Sequence, residues 1–129
     1  MRVVLDTHIF LWFVLGDQKL SATARQIIED PQNEKLLSVA SIWEVTIKVS
    51  TGKLKLNTGT VTFFDEACRQ NAIAILPITL AHLAPLETMP FHHRDPFDRL
   101  LIAQSLVENI PIVSADAAFD TYEGVTRLW

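Results

Sequence analysis

The sequence predicts an α/β domain whose parallel sheet is covered by helices on both faces. Short segments such as Val3-Val4-Leu5 and Ile110-Pro111-Ile112-Val113 are apolar throughout, as strands buried on both faces should be. They alternate with segments that carry helix start and stop signals, the pattern of a parallel α/β fold. Asp6 and Asp116 follow the first and a late apolar run, where such folds gather functional groups near the reversal of strand order.

Arg2 to Leu5 reads as the first strand, and Ile9 to Leu15 as a helix closed by Gly16. Ser21 suits the N-cap of a helix from Ala22 to about Asp30, stopped by Pro31. Leu36 to Ala40 reads as a second buried strand. Ser41 and Glu44 have capping-box spacing, so the next helix is expected from there to about Thr51, with Gly52 as its stop. Thr60 can cap a helix from Val61 to about Asn71. Ala72 to Ile78 is a further apolar, β-branched run, and Thr79 opens a short helix to about Leu86. After a linker from Glu87 to His92, Asp95 is a good N-cap and Pro96 suits the first helical position of a helix to about Glu108. Leu100 to Ala103 within it are apolar almost all round, as in a helix buried on most sides. The strand Ile110 to Val113, a helical turn at Ala117 to Phe119 and an edge strand at Val125 to Leu128 complete the chain.

With 129 residues, 1–129 is most simply one domain, able to bury about two-thirds of its unfolded surface. The longest apolar run, Ile9 to Leu15, is too short to cross a bilayer, so no membrane association is expected. No basic-then-apolar leader opens the chain, and a cytoplasmic protein is the expectation. The lone cysteine, Cys68, excludes an intrachain disulfide and a thiolate zinc cluster, and reads as a buried small hydrophobe. A net charge of −4 argues against a large basic nucleic-acid footprint. It does not exclude a nuclease, because divalent cations reverse the sign of an acidic cleft.

The acids Asp6, Glu44, Asp98 and Asp116 are the candidate site, with Asp95 and Asp120 as possible additions. Asp98 falls in the first turn of a buried helix, a costly place for a lone charge. Carboxylates gathered in one pocket raise one another's pKa until a cation compensates them. Oxygen ligands without cysteine suit Mg²⁺ or Mn²⁺, and an acidic cluster holding such ions suits phosphodiester hydrolysis.

Each acid also has a plainer role. Asp6 could cap the helix near Ile9, Asp98 could only stabilise its own helix start, and Asp116 could be a turn residue. The capping box with Ser41 explains Glu44 without any metal, and both readings stand. Thr7 and Ser114 are expected to serve local backbone hydrogen bonds. His8, His92 and His93 lack zinc spacing and read as peripheral. Arg99 is expected to neutralise Asp98 beside it, and Trp12, Trp43 and Phe10 are placed in the core.

Leu5-Asp6-Thr7-His8, Ser41-Ile42-Trp43-Glu44, His93-Arg94-Asp95-Pro96-Phe97-Asp98-Arg99-Leu100-Leu101 and Ser114-Ala115-Asp116 together resemble the ordered signatures of PIN-domain ribonucleases, the VapC-type toxins in particular. The resemblance runs essentially end to end. It implies a three-layer α/β/α sandwich with a central parallel sheet, and an endoribonuclease dependent on Mg²⁺ or Mn²⁺. The family's ligand set falls on Asp6, Glu44, Asp98 and Asp116; Asp95 matches a secondary position and Asp120 matches only loosely. The resemblance further implies an RNA substrate, a homodimer and a cognate antitoxin.

A phospho-accepting receiver domain would need an acid beside Asp6 and a Lys after Val113, and neither is present. A haloacid-dehalogenase-type phosphatase would need two aspartates flanking one residue after the first strand, and Asp6 is followed by Thr7 and His8. A housekeeping PIN nuclease and an inert PIN-like binding module are the remaining alternatives. Loss of carboxylate-dependent Mg²⁺ binding would mark the inert module.

Overall fold

In the computed structural model, which describes residues 1–129, Val3, Val4 and Leu5 are consecutive and all fully buried. They can be so because strand β1 (Arg2–Leu5) lies in the middle of a sheet covered on both sides. Strands β2 (Glu34–Ser38), β3 (Ile73–Leu76), β4 (Ile112–Val113) and β5 (Arg127–Leu128) complete it in the order β3-β2-β1-β4-β5, every pair parallel. Around it lie helices α1 (Thr7–Leu15), α2 (Ala22–Glu29), α3 (Val39–Ser50), α4 (Thr60–Gln70), α5 (Leu80–Leu83) and α6 (Pro96–Glu108).

Alternate strand residues point to opposite faces, and this divides the interior into two cores. Val3 and Leu5 pack with Leu37 and Val113 against Ile9, Phe10, Ala24, Ile28, Val45 and Phe64 of α1 to α4. Val4 faces the other way, with Leu36 and Ile112, against Leu101, Ile102 and Ala103 of α6 and against Phe119 and Tyr122. This is the expected three-layer α/β/α sandwich.

Strand order reverses at β1, whose neighbours are β2 on one side and β4 on the other. A crevice at the carboxyl ends of strands opens at such a point. Asp6 follows β1 and Asp116 lies shortly beyond β4, so the two acids flank it.

Several element boundaries differ from expectation. Ser38, not Ser41, is the N-cap of α3, and its Oγ accepts from the Ala40 amide at 3.0 Å. The β-branched Val39 suggested a continuing strand but opens the helix instead, so β2 ends at Ser38 and the Ser41–Glu44 capping box does not form. Helix α1 begins at Thr7, two residues earlier than expected. Gly59 takes the N-cap position expected of Thr60. Ala72 turns left-handed (φ 52°) before β3, and the non-donating Pro111 shortens β4 to two residues. Thr79 does open α5, in a capping box closed by His82, whose ring accepts from the Thr79 amide at 3.1 Å. No helix is long and apolar enough to cross a membrane.

Candidate active site

Asp6 stands at the N-cap position of α1 with extended backbone (φ −63°, ψ 149°), yet its side chain caps nothing. Its Oδ2 instead accepts from Ser114 Oγ at 2.7 Å, across the β1–β4 junction. Ser114 follows β4 directly, so that one hydrogen bond ties together the two strand ends that frame the crevice. The helix-cap alternative for Asp6 is thereby removed. Burial at 6 % exposure pushes its carboxyl up; the Ser114 bond and the nearby His8 oppose this only in part.

Asp98 is the third residue of α6. Asp95 caps that helix as the sequence indicated, accepting from the Phe97 amide at 2.8 Å, and Pro96 follows as its first residue. Burial, reinforced by the charges of Asp6, Asp95 and Glu44 and opposed by His93, pushes the Asp98 carboxyl from 3.8 up to about 7. Negative groups from β1, α3 and α6 thus act on one another.

Asp116 is more open. Its Oδ1 accepts from the Ala118 amide at 3.0 Å and its Oδ2 lies 2.8 Å from His93 Nε2. Burial would raise its carboxyl, but the His93 and Ala118 hydrogen bonds and the charges of His93 and Arg127 together hold it below the usual carboxylate range. The turn-residue alternative is therefore true of one oxygen, while the other faces the crevice.

Asp6, Asp98 and Asp116 line one cleft of about 330 Å³, together with His8, Ile9, Trp12 and Ala115. Glu44 stands on its flank, in a neighbouring groove with Lys48 and Asp95. Its Oε1 is 2.9 Å from Thr7 Oγ1, which is itself 2.8 Å from Ser41 Oγ, and its Oε2 is 3.3 Å from Lys48 Nζ. Thr7 and Ser114 consequently do more than satisfy the local backbone. Each joins an acid to a different element of the fold. Asp120 takes no part, being paired with Arg127 through two contacts of 2.9 Å.

Three readings from sequence need correction. Arg99 does not neutralise Asp98: its guanidinium turns inward to the carbonyls of Pro90, Met89 and Leu86 and lies 3.9 Å from the Phe91 ring centroid. Trp12 is core only in part: half-buried against the main core, it also forms a wall of the cleft, with the His8 and Trp129 ring centroids each 6.1 Å away. Trp43 is 58 % exposed, with the Phe97 ring edge-on against it. Phe10 and Cys68 are buried as expected.

His93 is the site residue that sequence reasoning missed. Nitrogen or oxygen atoms of His93, Asp98 and Asp116 lie within 4.8 Å of one another. The residue was weighed only against zinc spacing, although its place two residues before the N-cap Asp95 should have marked it as a neighbour of the acids.

The cleft's carboxylate oxygens are hard donors, and no lysine or arginine is paired with Asp6 or Asp98. A negative cluster of this kind, with Asp6 buried, Asp98 half-buried and Asp116 open, fits a hard divalent cation. Comparison with solved structures gives the same fold. VapBC2 from Rickettsia felis, bound to a DNA fragment from its promoter, superposes with a TM-score of 0.75 at 15 % identity, covering 99 % of this chain and 98 % of that one. VapBC-1 from nontypeable Haemophilus influenzae gives 0.62 at 15 %, covering 99 % and 97 %. FitAcB from Neisseria gonorrhoeae gives 0.58 at 16 %, covering 98 % and 96 %. Among curated proteins none matches significantly. The family whose pattern matches is the PIN domain, over residues 3–125, so that the sheet, the crevice and all four ordered acids fall inside the match, and the chain belongs to the PIN domain family.

Proposed function

We propose that the chain is a single-domain endoribonuclease dependent on Mg²⁺ or Mn²⁺, and the toxin of a toxin–antitoxin pair. The observation that carries the nuclease reading is the convergence of Asp6, Asp98 and Asp116 from three elements on one cleft, with Asp98 raised to about 7 by burial and by its acidic neighbours. Such a cluster is unfavourable by itself and is relieved by a divalent cation.

Asp6, Asp98 and Asp116 would hold the ion, and Glu44 would serve either as a further ligand or as the group that orients water beside it. A divalent ion held there would activate the attacking water and stabilise the leaving oxygen of a phosphodiester. The chain's own residues supply the positioning. Ser114 holds Asp6 Oδ2 and so fixes the carboxylate at the cleft. Thr7 fixes Glu44 against α1, and Lys48 offsets the second Glu44 oxygen. Trp12 and His8 give the same cleft an aromatic wall on which an unpaired base can stack, which favours single-stranded RNA as substrate.

The toxin assignment draws on the resemblance to VapC-type toxins and on the VapBC and FitAcB structures whose fold the chain shares. A cognate antitoxin is therefore the proposed protein partner, and the cytoplasm, where RNA substrate is found, the proposed compartment. Val39, Trp43 and Ile47 lie on one side of α3 at four-residue spacing and are each more than a third exposed, a surface suited to a homodimer. Sedimentation returning twice the 14.5 kDa chain mass supports the dimer, and a single chain mass removes it.

The enzymatic reading is tested with purified chain and end-labelled single-stranded RNA. Cleavage is expected with Mg²⁺ or Mn²⁺, to stop under EDTA and to return on adding the ion back. Trp12→Ala should raise KM roughly tenfold, the value of about one stacked base, with a smaller change in kcat. An RNA left intact under every ion condition would turn the reading to an inert binding module.

A further inference from the structure

We infer that His93 is a positioning residue of the candidate metal centre, which holds Asp116 through an Nε2–H donor and does not itself take the cation. The inference rests on the nuclease reading above and assigns a role to a residue outside the four acids.

Distance alone would make His93 a ligand, since it shares a 4.8 Å cluster with Asp98 and Asp116. Its hydrogen bonds say otherwise. Nε2 lies 2.8 Å from Asp116 Oδ2, and an ionised carboxylate only accepts. The hydrogen of that bond must therefore sit on Nε2, whose lone pair is then not available to a metal. The other nitrogen, Nδ1, lies 3.0 Å from the Tyr122 hydroxyl, and the same hydroxyl accepts from the His93 backbone amide at 2.8 Å. With the amide donating to the Tyr122 oxygen, the phenolic hydrogen is free to go to Nδ1. Nε2 is thus the donor to Asp116, Nδ1 is engaged by the Tyr122 hydroxyl, and both nitrogens are in use.

The ring is also fixed in orientation. It packs against Phe119, with centroids 4.7 Å apart and planes 32° apart, and against Tyr122, at 5.5 Å and 20°. Its side chain is 8 % exposed. A histidine held this way orients the carboxylate that it touches, and the loss of such an outer partner typically weakens metal binding about 10–100-fold. Asp116 in turn receives one donor on each oxygen, from His93 and from the Ala118 amide, so each keeps a lone pair for the cleft.

The test combines nitrogen-15 NMR of the imidazole with Mn²⁺ titration calorimetry. In the metal-free protein Nε2 should carry a hydrogen, and the Nε2–H signal should persist at saturating Mg²⁺. An Nε2 without hydrogen in the metal-free protein, or loss of the Nε2–H signal when Mg²⁺ binds, would overturn the assignment. In calorimetry, His93→Ala should bind Mn²⁺ at least about tenfold more weakly. His93→Gln, whose amide can place an N–H near the same point, should recover much of that loss, and Tyr122→Phe should fall between them. Wild-type affinity in His93→Ala would sink the idea. Asp6→Asn is the control: if it and the wild type bind Mn²⁺ equally, the metal centre itself fails, whereas loss there with no loss in His93→Ala fails only the role of His93. The metal-free spectrum of the wild-type chain decides whether Nε2 carries a hydrogen even where a variant does not fold.

Discussion

Asp6→Asn is expected to abolish cation-dependent RNA cleavage while leaving the fold intact. The exchange keeps the side chain's shape, and the asparagine carbonyl can still accept from Ser114 Oγ, so the tie between the ends of β1 and β4 survives. What disappears is a charge at 6 % exposure beside Asp98 and Glu44. Losing one anionic ligand from a cluster that must bind a doubly charged ion should lower cleavage by at least about 10³-fold, on the order of 4 kcal/mol of transition-state stabilisation. The same substitution removes repulsion from the metal-free protein. Its melting temperature should therefore stay level or rise, and circular dichroism should be unchanged. Activity against labelled RNA and a thermal melt of one preparation read both effects. A variant that cleaves at the wild-type rate would remove Asp6 from the metal centre, and a variant that unfolds would mean that its charge is structural.

The second large effect is a pH-dependent stabilisation by divalent ion. The Asp98 carboxyl rises from 3.8 to about 7 in the folded chain, burial being the main cause. Between those values the folded state holds a proton that the unfolded chain has lost. This group's contribution to stability is therefore fully present at low pH, falls as pH climbs through that window, and levels off above about 7. Asp6, also raised, acts in the same direction. Asp116 is lowered, so its contribution is present above the ordinary carboxylate range and is lost only as pH falls through its depressed value. Asp98 is partly open to solvent, and screening reduces the size of its effect without changing its sign.

A cation that replaces the proton reverses the loss. At pH 8, Mn²⁺ at a hundred times its dissociation constant should add about 2.7 kcal/mol, a rise in melting temperature of roughly 10 °C for a chain of this size. At pH 5 protons compete, and the same Mn²⁺ concentration should give a much smaller rise. Melts at the two pH values, with and without Mn²⁺, measure it. Equal shifts at both would show that the ion binds away from Asp98.

Much of this arrangement could be read before any coordinates. Asp95-Pro96 announced α6 correctly, because capping and the missing proline donor are local properties. Val3-Val4-Leu5 announced a strand buried on two faces, because apolar side chains in consecutive positions need cover on both sides. Glu44 was ambiguous for an equally local reason. Ser41 and Ser38 both precede apolar runs and both can cap, and only the β2–β3 register, which carries β2 through to Ser38, decides between them.

By itself the sequence determined the α/β class, the order of most elements and the placing of Asp6 and Asp116 beyond strand ends, since periodicity, caps and strand termini depend on neighbours along the chain. Tertiary structure alone decided which partners those acids take, Ser114 for Asp6, Thr7 for Glu44 and His93 for Asp116, and that Trp12 reaches the cleft wall. The physical reason is separation. The Asp6–Ser114 hydrogen bond spans 108 positions, and a contact of that reach exists only once the parallel sheet has brought β1 beside β4.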